Sequence, residues 1–456
     1  MKGVWITTVY NQDWPSSSSK GNVEIQKSEF INILEDVMSL GIDTIVVQIR
    51  AKSDALYKSS INPWSDILTG VQGKDPGYDP LEFILEESHK RNIKVHGWLN
   101  PYRVTTSGTN LSVLSENNFA RNNPQTVIKY NNAIFYNPGL PEVREYIVNT
   151  VAEIVRNYNI DGIHFDDYFY PGENIDDNDA YRRYGNGVSL GDFRRRSVDE
   201  MVKACYEVIK SINGNVKFGI SPRGIWKNKS SDVSGSDTSG SESYYDIYAD
   251  TRTWIKNNWL NYVAPQVYWE IGNKVADYSK LIPWWANEVI NTNVKLYIGQ
   301  GIYKEAVARE LLKQIELNKK YNINGSILFS YIDIKKNIGN VKDQIKSINY
   351  INDNEEMNYS MYVFSKNWYL NKYLDVANSP TYKYDPYKHY VDYGKKEGRL
   401  PLPPIPEEYN EGAYLKLNPD VNEAVKNGIF VSGIDHYLQY GFNESRKVSY
   451  EYLDKI

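Results

Sequence analysis

Short apolar runs alternate with longer amphipathic stretches over roughly the first 345 residues. Residues 3–9, 44–49, 94–99, 162–165, 217–220, 262–267, 295–298 and 326–329 are apolar and rich in β-branched or aromatic side chains, the signature of strands. Between them, stretches such as 27–40, 80–91, 141–158, 192–212, 245–258, 284–291 and 304–321 repeat their apolar positions at helical spacing. Regular strand–helix alternation predicts an α/β protein with a parallel sheet, and eight repeats predict a closed (β/α)8 TIM barrel over residues 1–345. Two long insertions follow strand ends, at 100–140 and 226–244. Both are expected to shape a cleft, and the Ser/Gly run at 230–236 reads as a mobile loop.

The pattern changes beyond residue 345. Residues 346–360 read as a linker, with a polar, acidic stretch at 352–358. An internal repeat follows, about 361–400 and 408–456, split by the proline-rich stretch 401–406. His389 leads to Arg399 and His436 to Arg446, ten residues in both copies. The copies read as two small helical units, each too small to bury much apolar surface alone.

In a parallel α/β barrel, functional residues sit just past the C-terminal ends of the strands. Polar and aromatic sets follow nearly every run here. Gln48, Arg50, Asp54 and Tyr57 attend the second. His96, Trp98, Asn100, Tyr102 and Arg103 attend the third. Ser221, Arg223 and Trp226 follow the fifth; Gln266, Tyr268, Trp269 and Glu270 the sixth; Gln300 and Tyr303 the seventh; Tyr331 and Asp333 the eighth. The fourth run is the most informative. Gly162-Ile163-His164-Phe165 ends in Asp166-Asp167, followed by Tyr168-Phe169-Tyr170-Pro171. Carboxylates handle protons and positive charge while aromatic faces stack on pyranose rings, which is the chemistry of sugar cleavage. A lone Asp there would read as a helix cap; an acid pair flanked by His164 and three rings does not. His164 and Asp166, two apart on a strand, share one face. A zinc or manganese site is one reading of them, and His164 pointing into the barrel to orient a carboxylate is the preferred one, so neither metal nor cofactor is called for. There is no G-x-S-x-G nucleophile motif.

Composition narrows the partners. A net charge of −5 offers no basic field for nucleic acid. Thirty-nine Tyr and 11 Trp suit a carbohydrate ligand, although an AT-rich genome also raises Tyr. The single cysteine, Cys205, excludes an intrachain disulfide. No stretch is apolar enough to span a membrane. Met1-Lys2 runs straight into a core strand, which suggests a trimmed mature form of a secreted or envelope-associated protein.

The ordered set Lys2-Gly3-Val4-Trp5, Asn11-Gln12-Asp13-Trp14-Pro15, His96-Gly97-Trp98-Leu99-Asn100-Pro101-Tyr102-Arg103, Gly162-Ile163-His164-Phe165-Asp166-Asp167-Tyr168, Ser221-Pro222-Arg223-Gly224-Ile225-Trp226 and Pro265-Gln266-Val267-Tyr268-Trp269 resembles the glycosyl-hydrolase-10-like (DUF187) family of bacterial envelope proteins, over roughly residues 2–340. The resemblance implies a (β/α)8 barrel acting on envelope glycan strands. Some members are hydrolases of peptidoglycan stripped of its stem peptides, and a clostridial relative is a lytic transglycosylase. Asp166-Asp167 matches the family's strongest motif. Glu270 is the candidate second carboxylate, at a position where the family commonly has a small polar residue, and Glu173 competes with it. Gln300 at the seventh strand end, where family-10 xylanases carry Glu, argues against a xylanase. The C-terminal copies resemble short repeats of bacterial surface proteins, which implies wall attachment or a structural add-on.

Two function classes follow. In the first, a glycosidase cleaves β-1,4 bonds in amino-sugar strands, as a hydrolase or a lytic transglycosylase. One Asp works on the sugar while the other pairs with Arg50, Arg103 or Arg223. Trp98, Tyr102, Tyr168, Trp226 and Trp269 stack on rings, and Arg103 and Arg223 meet the lactyl carboxylate of muramic acid. His96, Asn100, His164, Gln266, Tyr268 and Gln300 complete the substrate-binding set. The second class is a non-catalytic glycan-binding protein with the same cleft.

Overall fold

The computed structural model describes residues 1–348 except 291 and 324, and residues 364–448 except 384, 407, 408, 410, 427–429 and 431. The chain divides into two compact units, Met1–Tyr350 and Ile351–Ile456.

In the first unit, β1 (Lys2–Ile6), β2 (Thr44–Arg50), β3 (Lys94–Leu99), β6 (Gly162–Phe165), β7 (Lys217–Ile220) and β8 (Tyr262–Val263) pair in parallel in that order. The next barrel strand is broken at Tyr297. Its first piece, β9 (Lys295–Leu296), pairs with β8, and its second, β10 (Ile298–Gln300), pairs with β11 (Ser326–Leu328), which returns to β1. Counting β9 and β10 as one broken strand, eight strands close the ring, so the expected TIM barrel is what forms. The remaining two, β4 (Val127–Tyr130) and β5 (Ala133–Tyr136), form an antiparallel hairpin inside the 100–140 insertion. Two strands are shorter than the apolar pattern suggests. β1 stops at Ile6 because the chain leaves the extended conformation at Thr8 and turns over Val9–Asn11. β8 stops before Pro265, which has no N–H for a ladder.

Side chains alternate across the barrel wall. Ile45, Val47 and Ile49 of β2, Val95 and Leu99 of β3, and Ile163 and Phe165 of β6 face outward into the core shared with the helices. Trp5, Val46, Trp98, Tyr262, Tyr297 and Ile327 form a separate cluster. By the same parity His96 and His164 point inward with it. Gly162 and Gly219 make room, since a Cβ at either would strike the His96 or the Tyr262 ring. The helices begin where the sequence offers caps: Asn22 before Val23–Ser39, Asp79 with Pro80 before Pro80–His89, and Ser189 before Leu190–Ile212. The helix expected at 284–291 instead runs Tyr278–Glu288, because Asp277 caps it six residues earlier.

In the second unit the copies repeat in structure. Lys366–Lys372, Leu374–Ala377 and Pro386–His389 correspond to Glu411–Leu417, Pro419–Lys426 and Gly433–His436. Tyr369 Oη meets His389 Nδ1 at 3.2 Å, and Tyr414 Oη meets His436 Nδ1 at 2.9 Å. Arg399 pairs with Asp375 and Arg446 with Asp420, both at 2.8 Å. The His–Arg spacing therefore holds each copy's helices together. The copies meet through Trp368 and Phe442, whose ring centroids are 6.4 Å apart. Residues 349–363, most of the expected linker, and 449–456 of the second copy lie outside the described residues.

Candidate active site

A cleft of about 990 Å3 opens at the C-terminal ends of the strands, with Asp166 and Asp167 in its wall. Asp166 continues the inward row of Gly162 and His164. Strand alternation would aim Asp167 away from the cleft, but β6 has ended at Phe165 and both acids line it.

Asp166 is held by a chain of amides. Thr8 and Val9 backbone N–H groups donate to Gln48 Oε1 at 3.0 and 2.9 Å, which leaves the Gln48 amide nitrogen to donate to Asn100 Oδ1 at 2.6 Å. Asn100 must then present its NH2 to Asp166 Oδ2, which also accepts from Trp98 Nε1 at 3.1 Å. Oδ1 accepts one N–H, from Tyr168 at 3.1 Å. Burial, reinforced by the Asp167 charge, pushes the Asp166 carboxyl up to about 7, although Arg103 pulls the other way. Asp167 turns to the opposite neighbours. It accepts from Gln266 Nε2 at 2.9 Å and lies 3.5 Å from Arg223 Nε. Among the described residues the other carboxylate lining the cleft is Asp333, which caps its own helix and binds Lys336 Nζ at 3.0 Å.

Of the residues expected to bind substrate, Trp98, Arg103, Tyr168, Gln266 and Tyr268 line this cleft. Asn100 stands directly behind Asp166. The others go elsewhere, each for a visible reason. Arg50 is sealed under the strand ends, donating to Asn62 Oδ1, to the carbonyls of Asn100 and Pro101 and to Tyr146 Oη. Tyr102 is buried in the outer core. Arg223 is engaged by Asp167, Ser241 and Asp246. Trp226 stacks on Trp284 and donates to Asp250. Trp269 does not line the cleft and has Lys304 over its ring. Gln300 donates to Tyr278 Oη from a fully buried position.

The two histidines form an interior network. Trp5 Nε1, a donor only, points at His164 Nε2 at 3.3 Å, so the His164 proton sits on Nδ1, which faces Tyr262 Oη at 2.9 Å. Tyr262 Oη in turn reaches His96 Nδ1 at 2.8 Å. Burial pushes the His96 imidazole down to about 4 and holds His164 well below the usual range. Both rings are neutral. His164 orients no carboxylate, contrary to the sequence reading; it supports Trp5 and Ser221 in the cleft floor.

Neither candidate second carboxylate reaches the cleft. Glu270 accepts from Asn273 Nδ2 at 2.8 Å, a turn contact that lowers its pKa. The Glu173 side chain is exposed, and its carbonyl accepts from Arg194. The 226–244 insertion contributes no lining residue. Its Ser/Gly run is pinned by Lys229 N–H to Ser236 O at 2.7 Å and by Arg252 to Ser234 Oγ at 2.8 Å.

Tyr10, Tyr130, Phe135 and Phe329, none of them among the residues expected from the sequence, add aromatic surface to the cleft. Tyr130 and Phe135 arrive on the β4–β5 hairpin. Its signal was present: Asn131-Asn132, both at positive φ, stand between two apolar runs.

An acid pair in an aromatic cleft at the mouth of a barrel fits a glycan-cleaving enzyme, and similarity to other proteins identifies which kind. Residues 1–321 match the family described as glycosyl hydrolase-like 10. The chain belongs to this family. It is 45% identical over 363 residues to glycosyl hydrolase YngK of Bacillus subtilis (strain 168), covering 76% of this chain and 71% of that one. It is 40% identical over 361 residues to glycosyl hydrolase DigH of Escherichia coli (strain K12), covering 72% and 82%. Among solved structures it resembles the PgaB (BpsB) glycoside hydrolase domain from Bordetella bronchiseptica, with a TM-score of 0.55 at 10% identity over 76% of this chain and 99% of that one, a likeness of fold. As a member of the glycosyl hydrolase-like 10 family, the protein is a glycosidase.

Proposed function

We propose that the protein hydrolyses β-1,4 bonds in the amino-sugar glycan strands of bacterial cell wall, namely peptidoglycan stripped of stem peptides. The observation that carries the mechanism is Asp166: a carboxyl pushed up to about 7, fixed by three N–H donors, in an open aromatic-lined cleft. A carboxyl of that pKa is protonated in a useful fraction near neutral pH and can act as general acid. Oδ1, with one N–H on it, has room for the proton. As Asp166 gives that proton to the glycosidic oxygen and the C1–O bond breaks, its three N–H donors stabilise the carboxylate left behind. Asp167, held by Gln266 and Arg223, places negative charge beside the developing oxocarbenium ion. Water adds to C1, its proton returns to Asp166, and a reducing end results. Trp98 and Tyr168 provide faces for the flanking sugars.

The peptidoglycan substrate rests on the family resemblance and the aromatic cleft. The same reading makes the protein secreted or envelope-associated, with the C-terminal repeats attaching it to the wall. A lytic transglycosylase is the second reading. It needs one acid/base, because the substrate's 6-hydroxyl attacks, and Asp166, with its carboxyl pushed up to about 7, can serve as that group.

Mass spectrometry of products from stripped strands tests this. Products that gain one water and a reducing end support hydrolysis, whereas a 1,6-anhydro end establishes the transglycosylase. No product from strands with or without stem peptides overturns the substrate assignment. Retention on insoluble wall by the full chain, compared with a chain ending at residue 350, tests attachment.

A further inference from the structure

We infer that Arg103 is the specificity-determining residue that receives the free lactyl carboxylate of muramic acid, so that the enzyme acts on strands whose stem peptides have already been removed. The inference rests on the peptidoglycan reading above and adds the residue that reads the substrate.

Arg103 lines the same cleft as Asp166 and Asp167. Its guanidinium lies 4.2 Å from the centroid of the Tyr168 ring. Among the described residues its guanidinium makes one hydrogen bond, a long one from Nη1 to the Ala51 carbonyl at 3.4 Å. None of its nitrogens is both buried and without a partner, so the remaining N–H groups reach the solvent of the cleft. With one face covered by Tyr168, the groups left open lie in the guanidinium plane. In-plane N–H pairs are what a carboxylate takes in bidentate fashion. Among the described residues the other cation lining the cleft, Lys336, is occupied by Asp333, and Arg223, behind the cleft wall, by Asp167 and Asp246.

Electrostatics points the same way. An anionic sugar entering a cleft that carries Asp166 and Asp167 is repelled unless a cation meets it, and Arg103 is close enough to pull down the Asp166 pKa. A cationic glucosamine polymer gains nothing from an open guanidinium. In intact peptidoglycan the lactyl group is an amide to the stem peptide and carries no charge. Amide hydrolysis exposes the carboxylate, so a reaction of that class must precede this enzyme.

The test compares stripped strands carrying free lactyl carboxylates with the same strands converted to methylamides. The wild type is expected to favour the free acid in kcat/KM by roughly 10- to 100-fold, the range of one charge-assisted contact. R103Q should collapse that ratio toward one. R103K should keep part of it, because it retains charge without the fork. Melting curves confirm that each variant is folded, and R103K serves if R103Q is not. A ratio that survives in R103Q, or equal losses on both substrates, overturns the inference and leaves the hydrolase reading intact. Wild-type turnover of neither strand is the failure of the proposed function. Arg103-dependent cleavage of a uronic-acid β-1,4 glycan with none of muramic strands overturns both.

Discussion

Arg50 closes β2 and Arg103 follows β3 by four residues, yet the fold uses them in opposite ways. Both are largely withdrawn from solvent, at 1% and 8% exposure, so burial does not distinguish them. Their donors do. Arg50 spends its N–H groups on carbonyls and on the Asn62 and Tyr146 side chains, with the Tyr146 ring 5.6 Å away. Among the described residues Arg103 makes one long bond, and its other N–H groups are left toward the cleft. A polar residue at a strand end marks the site when the fold leaves its hydrogen bonds unfinished, and marks the scaffold when the fold completes them. The acids divide the same way: Glu270 is finished by Asn273, while Asp166 keeps room for a proton.

The largest effect that would sharpen this division is at Asp166. Asp166→Asn should lower turnover of stripped strands by roughly 10^3-fold or more while glycan binding persists, since general acid catalysis alone contributes about 10^2–10^4. Retained turnover would remove Asp166 from the mechanism. Next is Arg50→Met, which strands the Asn100 and Pro101 carbonyls. It should cost about 2–4 kcal/mol of stability in denaturant unfolding, with kcat/KM of the folded enzyme near wild type. Arg103→Gln should cost less than about 1 kcal/mol. Equal stability losses at the two arginines would break the comparison.

The pH effects are smaller and of definite sign. Asp166 is raised in the folded state, so folding retains a proton that the unfolded chain has released between about pH 4 and 7. Its burial therefore becomes more destabilising as pH rises through that window. Asp166→Asn should raise the melting temperature by a few degrees at pH 8, on the order of 2–5 °C, and by little at pH 4. Because the acid form is the active one, kcat/KM should fall as pH rises through about 7. An alkaline limb that Asp166 substitution leaves in place would assign it elsewhere. The smallest effect is Glu270→Gln: activity within about twofold and stability within about 0.5 kcal/mol, as for a surface change. A tenfold loss would return Glu270 to the catalytic set.

The barrel was legible because short apolar runs rich in β-branched and aromatic residues alternate eight times with amphipathic helical stretches, and such local periodicity survives in any context. The acid pair was legible because Asp166 and Asp167 follow a strand directly. Arg50, Tyr102, Trp226 and Gln300 have the same address in the chain, although none faces the cleft. Their neighbours come from distant segments: Tyr146 for Arg50, Trp284 for Trp226, Tyr278 for Gln300. No spacing within the chain reveals those partners. The hairpin that brings Tyr130 and Phe135 to the cleft was foreshadowed by Asn131-Asn132, but its direction of return was not.

The sequence by itself determined the eight-stranded alternation, the inward row that ends at Asp166, and the two C-terminal copies with their His–Arg spacing. Those features depend on side-chain period and on residues close in the chain. The tertiary structure decided which strand-end residues are finished by the scaffold and which remain open. It also decided that β6 ends early enough to turn both acids to one cleft, and that burial holds Asp166 near neutrality. The physical reason is that a hydrogen bond's completion and a carboxyl's desolvation depend on groups tens to hundreds of residues away, which only the closed barrel brings together.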